Sequence, residues 1–397
     1  MRFFKDAGLG KKMLVVLFLT RVLAGFISGY INLYYYQGTD ISGFHLQGIE
    51  EYHLLFQNPA GYFTDIFHSN HGSYGRFLES SDSYWNDTRS FIIVKMLSVF
   101  NIFSGTQFFI NSLFYNFFIF WGTVALFRVF IRVFPSMPTA LIIGIFLLPS
   151  VIYFSSAIHR DGLIYLSLSM IIYHLYGMLH SRKYTVRPIL IIVLYLLVIL
   201  LLRNFVFIIL VPALIGWILA ERMPKKALAV FASVYAVTIL SFFLTGLLPE
   251  GLNLPAHFAT RQRDFIEIAK KGVSAIDIHP LYPAFSSFLA NLPQAVNHGL
   301  MRPYLTEHNT FLYVLAAAEI CIYEMLLVFF LFFRLKRFTL PPIIYFSLFL
   351  SLPMCIVIGY TIPILGAIVR YRSIYLPFMV IPLICYTDWN NLRKKFI

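Results

Sequence analysis

Charge is what this sequence has least of. Only 12% of its 397 residues are Asp, Glu, Lys or Arg, about half the usual share for a soluble protein. Hydrophobic residues make up 59% and aromatics 18%, and the mean hydropathy is +0.75. A soluble chain could not hide that much apolar surface. Cysteine is also scarce. Cys321, Cys355 and Cys385 all lie inside apolar runs, match no zinc spacing and cannot form a disulfide framework. Walker and Rossmann glycine patterns, a HExxH helix and a GxSxG elbow are all missing, so nucleotide-driven transport and zinc proteolysis have no support. The short alternating segments of an outer-membrane barrel are missing too.

What is present is a series of apolar runs near 20 residues, the length that crosses a bilayer core about 30 Å thick. The chain therefore reads as an all-α polytopic membrane protein with about ten transmembrane helices. The expected spans are 13–33, 107–127, 138–156, 162–179, 188–202, 204–220, 227–247, 311–333, 341–361 and 373–387. The first run resembles a signal peptide core. It is too long and lacks a clean cleavage site, so it reads as a retained anchor. Phe91–Phe103 is only 13 residues and carries Lys95, which suits an interfacial helix rather than a span.

The net charge of +13 follows the positive-inside rule rather than a nucleic-acid surface. With both termini cytoplasmic, 18 of the 31 basic residues flank spans on that face. Two long loops, about 34–106 and 248–310, then lie on the other face, and that face as a whole, Asp161 and His159 included, carries 13 of the 18 acidic residues and nine of the 11 histidines. Chemistry is expected there, at the periplasmic face of a bacterial inner membrane. No soluble domain or internal repeat stands out, so residues 1–397 read as one integral-membrane domain.

Candidate residues cluster where the loops meet the spans. Asp40 lies in a Gly-flanked turn close after the first span, with Glu50 and Glu51 beyond it. A partly desolvated carboxylate at the bilayer edge is more basic and suits general-base work; the alternative is that these acids cap helices or solvate the loop. Leu54–Phe67 suits an interfacial position, and Asp82 and Asp87 are weaker candidates. His159-Arg160-Asp161 interrupts two apolar runs, where charge is costly and usually lines a site. Arg203 sits at the tip of a tight hairpin with no acid beside it. Arg302, Glu307 and His308 lead into the eighth span, where Glu319 suits pairing inside the bundle. Arg370 and Arg372 open the tenth span. Arg160, Arg203, Arg302, Arg370 and Arg372 thus stand at external span ends, against the positive-inside rule. Bidentate Arg donors suit a phosphate whose lipid tail lies in the bilayer, or else ordinary lipid headgroups.

This arrangement resembles the GT-C superfamily of integral-membrane glycosyltransferases. The resemblance rests on the long first external loop with its early acidic residue, on LLPSVIYFSSAIHRDGLIYLSLSM, and on RYRSIYLPF. It implies a sugar donor linked to polyprenyl phosphate and a glycan, lipid or protein acceptor. It also implies Asp40 as the base, with Glu51 as substitute, and Arg203, Arg302, Arg370 and Arg372 around the leaving phosphate. Asp40 stands alone rather than in an acidic pair. No cofactor is called for, a divalent metal is not indicated, and no nucleic acid is expected. Two other readings stay open. One is an oligosaccharide polymerase or ligase with a diphosphate-linked donor, relying on Arg302 and His308. The other is a non-enzymatic lipid-glycan flippase.

Overall fold

The computed structural model describes residues 2–36, 39–67, 84–270, 272, 274–335 and 340–396, with the side chains of 2, 84–87, 250, 393, 394 and 396 left aside. Asp82 lies outside the described residues, as does the side chain of Asp87. All elements among the described residues are helical. The sequence reads as one domain; the structure divides into two compact units, residues 1–205 and 206–397.

The first unit contains α1 (Arg2–Lys5), α2 (Lys11–Tyr30), α3 (Asp40–Gln57), α4 (Pro59–Thr64), α5 (Tyr84–Ser104) and α6 (Phe108–Val133). It continues with α7 (Pro138–Phe146), α8 (Pro149–Ser156), α9 (Arg160–Ser181) and α10 (Val186–Leu202). In the second unit are α11 (Asn204–Arg222, which starts at the division), α12 (Ala227–Leu244), α13 (Leu254–Ala269), α14 (Phe285–Val296) and α15 (Phe311–Phe332). There follow α16 (Pro342–Thr361), α17 (Leu365–Ser373), α18 (Leu376–Tyr386) and α19 (Trp389–Phe396).

Among the described residues, seven helices are long and apolar enough to cross a membrane, and two bent pairs pass the same test jointly. These are the helices of a polytopic membrane protein. Their surfaces suit lipid: on α2, Val15, Val16, Leu19, Leu23 and Ile27 face outward, while Arg21, Gly25, Ser28 and Gly29 face inward. That reverses the soluble pattern, because lipid tails are as apolar as leucine and small or polar residues gather at helix contacts.

Three expected spans differ in shape. The 138–156 run is not one rod but α7 and α8, bent by 48°. Pro149 cannot continue a helix from the preceding turn and starts a new one instead. The 373–387 run is likewise the second part of a pair, α17 and α18, bent by 63° before Pro377. The 188–202 run is α10, whose 17 residues fall short of a full-length span.

Residues 91–103 belong to the 21-residue α5, which is not among the span candidates and packs along α3. Gly48 allows this close approach, since a Cβ there would lie 2.8 Å from Leu97 Cβ. Asn101 Nδ2 donates to Gly48 O at 2.9 Å and Asn101 Oδ1 accepts from Asn111 Nδ2 at 2.6 Å, so α3, α5 and α6 are tied in series.

In the second unit, much of the 248–310 stretch is folded against α16. Gln262 on α13 donates to Tyr360 O and His279 O and accepts from Leu281 N. Leu281, Ala295 and Tyr360 form a small buried core with Phe258, Phe288, Leu292 and Ile356 around it. Here two backbones touch. A Cβ on Gly359 would lie 1.9 Å from Ala295 O, and one on Gly299 2.0 Å from Cys355 O. Backbone atoms cannot swing aside as a flexible side chain could. Gly359→Ala is therefore expected to destabilise the second unit by about 3 kcal/mol, the upper range for overpacking, read as a lowered unfolding midpoint.

Candidate functional site

Thr39 starts α3. Its backbone is extended, and its Oγ1 accepts from Ser42 N at 3.4 Å, which places Asp40 in the first helical turn. Ile41, Phe44 and Gly48 form the buried face, so Asp40 is left at the rim with 51% of its side chain exposed. Against it stands the break between α8 and α9. Residues 157 and 159 are extended there, and His159 precedes α9 with its ring 5% exposed.

His159 Nε2 meets Asp40 Oδ2 at 3.1 Å, and Nδ1 meets Asp161 Oδ2 at 2.8 Å. The other oxygen of Asp161 pairs with Arg203 Nη2 at 2.5 Å. One chain of contacts thus runs from a half-exposed carboxylate through an imidazole to a buried carboxylate, 1% exposed, and a buried guanidinium, 8% exposed. Asp161 also lies in the first turn of α9, where the helix dipole favours an anion. Arg160 stands beside these groups, with its guanidinium 5.7 Å from the centre of the Phe44 ring, which also neighbours the His159 ring.

Glu51 belongs to a different construction. It lies 11 residues beyond Asp40 on α3, about 16 Å along the axis at 1.5 Å per residue. Lys95 Nζ on α5 binds Glu51 Oε2 at 2.6 Å, Asp65 Oδ2 at 2.7 Å and Tyr62 O at 2.6 Å, over the Tyr62 ring. Burial pushes the Glu51 carboxyl up, Lys95 pulls it down, and neighbouring Asp65 pushes it up again. This clasp holds α3, α4 and α5 together.

The remaining arginines belong to the second unit. Arg302 Nη1 pairs with Glu307 at 3.2 Å, and its guanidinium lies over Tyr304. His308 Nδ1 accepts from Thr310 N at 3.2 Å in a local turn. Arg370 lies against Tyr371. Arg372 is buried, and its Nη1 donates to the carbonyls of Gly299, Leu300 and Arg302, at the end of the π-helical turn Asn297–Met301. Glu319, buried on α15, accepts from Tyr323 and lies within electrostatic reach of Arg372.

His298 stands in the same π turn. Burial chiefly, then Arg302 and His279, hold its imidazole down at about 4. A histidine kept neutral in the folded state loses stability as pH falls from 6.5, where the unfolded ring takes a proton, towards 4. The unfolding midpoint of the second unit is expected to drop across that window, and His298→Gln to flatten the drop.

No protein-family model matches this chain, and no curated protein and no solved structure matches it.

Sequence reasoning singled out Asp40, the 159–161 tripeptide and Arg203, and the structure brings Asp40, His159, Asp161 and Arg203 together. It missed Lys95 as the partner of Glu51, and Arg21 within the first span. A lone arginine inside an apolar helix was the available signal for the second.

Proposed function

We propose that the chain is a membrane glycosyltransferase of GT-C type, moving a sugar from a polyprenyl-phosphate donor to a glycan, lipid or protein acceptor. The observation that carries this reading is the Asp40–His159–Asp161–Arg203 chain in the first unit. An exposed carboxylate, oriented by a buried imidazole that is itself held by a buried ion pair, is the apparatus of a general base. Asp40 takes the proton of an acceptor hydroxyl. That oxygen attacks the anomeric carbon, and the bond from this carbon to the phosphate oxygen breaks, leaving polyprenyl phosphate. Nearby guanidinium groups would stabilise the charge gathered on the leaving phosphate; Arg160 is the candidate in the first unit.

Further support comes from the order of elements. One apolar span precedes α3, α4 and α5, and the next span follows them. The GT-C resemblance implies such a first loop, with its acid near the start. The face of chemistry is proposed as periplasmic, from the distribution of basic residues.

Mass spectrometry of lipids that co-purify with Asp40→Asn tests this reading. A polyprenyl monophosphate carrying one sugar, enriched over wild type, is the expected result. A diphosphate-linked oligosaccharide would favour a polymerase, ligase or flippase, and bulk phospholipid alone would remove the donor assignment.

A further inference from the structure

Arg21 lies within α2, ten residues from the helix start at Lys11, about 15 Å along its axis. Its side chain is buried, although this helix belongs to one of the span candidates. A guanidinium in such a place is costly unless its donors are used. Its partners are neutral. Nη2 donates to Ser155 O at 2.7 Å and Ser155 Oγ at 2.9 Å, and Nη1 donates to Thr123 Oγ1 at 3.3 Å.

Ser155 is in the last turn of α8, where carbonyls have no intrahelical donor. Such groups must be satisfied internally when water is excluded. Three side chains do this along the break. Arg21 takes Ser155 O; Asn116 Nδ2 on α6 donates to Ser156 O at 3.0 Å; Tyr115 Oη donates to His159 O at 2.5 Å. The fit leaves no slack. A Cβ on Gly25 would lie 2.5 Å from Asn116 Nδ2, and one on Gly162 2.1 Å from Tyr115 Oη. Arg21 also brings positive charge to the negative end of α8, a favourable pairing.

We infer that Arg21 and Tyr115 are positioning residues, which fix the broken backbone between α8 and α9 so that the His159 ring faces Asp40. Neither needs to touch substrate. The inference rests on the proposed transfer reaction only for its effect on rate; its geometric part stands on the contacts above.

The experiment uses full-length protein in lipid bilayers with ¹⁵N-labelled histidine, the His159 ring signals being assigned by their loss in His159→Gln. Arg21→Met and Tyr115→Phe are each expected to shift both His159 ring nitrogens, and Arg21→Lys to restore them in part. A role confined to general packing would leave those signals in place. In a transfer assay, Arg21→Met should lower kcat at least about tenfold with KM unchanged, and cause no further loss in a His159→Gln background. Wild-type His159 signals in folded Arg21→Met and Tyr115→Phe would overturn the inference, as would rate losses that add to that of His159→Gln. Should Arg21→Met fail to fold, Tyr115→Phe, which removes one hydroxyl, decides. If the wild-type protein transfers no sugar, the proposed function falls and the ring signals alone decide the positioning role.

Discussion

Asp40→Asn is expected to lower sugar transfer about 10²–10⁴-fold and leave the protein folded. The amide keeps the size of the carboxylate and an oxygen that accepts from His159, but it cannot take up the acceptor's proton. Half of the Asp40 side chain is exposed and it lies at a helix rim, so little packing depends on its charge. Initial rates with labelled donor, beside thermal unfolding of the same preparation, separate the two effects. Glu51→Gln should behave differently. Its carboxylate is held by Lys95, so the substitution loosens the α3–α5 clasp and leaves most of the turnover. Full activity in both variants would remove the base assignment altogether.

The second large effect is on stability. Asp161 and Arg203 are both buried and pair at 2.5 Å. Removing one partner takes away the direct counter-charge of the other inside the fold, a loss of about 3–5 kcal/mol. Arg203→Gln and Asp161→Asn should each lower the unfolding midpoint sharply. The double variant should lose less than the sum of the two, because the second substitution has no pair left to break. Single losses below about 1 kcal/mol would mean that the pair is far better solvated than its burial implies. Asp161 also holds His159, so Asp161→Asn should reduce turnover beyond its cost in stability.

Apolar runs of bilayer length were legible because a span must carry its own hydrophobicity. The break in 138–156 was also legible in principle, since Pro149 stands in the middle of the run. The carboxylates were harder. Asp40 and Glu51 look alike in sequence, and only their partners in the fold, His159 and Lys95, separate them. Helical spacing gave more than was taken from it: Arg370 and Arg372, two apart, cannot share a helix face. The structure accordingly buries Arg372 on backbone carbonyls and leaves Arg370 beside Tyr371. Arg21 was hidden for another reason. Its partner, the carbonyl of Ser155, is 134 residues away and carries no sequence signature, because every residue has a carbonyl.

The chemistry of the donor separates a glycosyltransferase from a polymerase, ligase or flippase. Purified wild-type protein in bilayers would be given a polyprenyl monophosphate sugar and, separately, a polyprenyl diphosphate oligosaccharide, with a membrane extract as acceptor. Release of free polyprenyl phosphate would be followed by mass spectrometry. Release from the monophosphate donor that depends on Asp40, with the diphosphate donor left intact, is the expected result. Consumption of the diphosphate donor alone, or of neither, would contradict it.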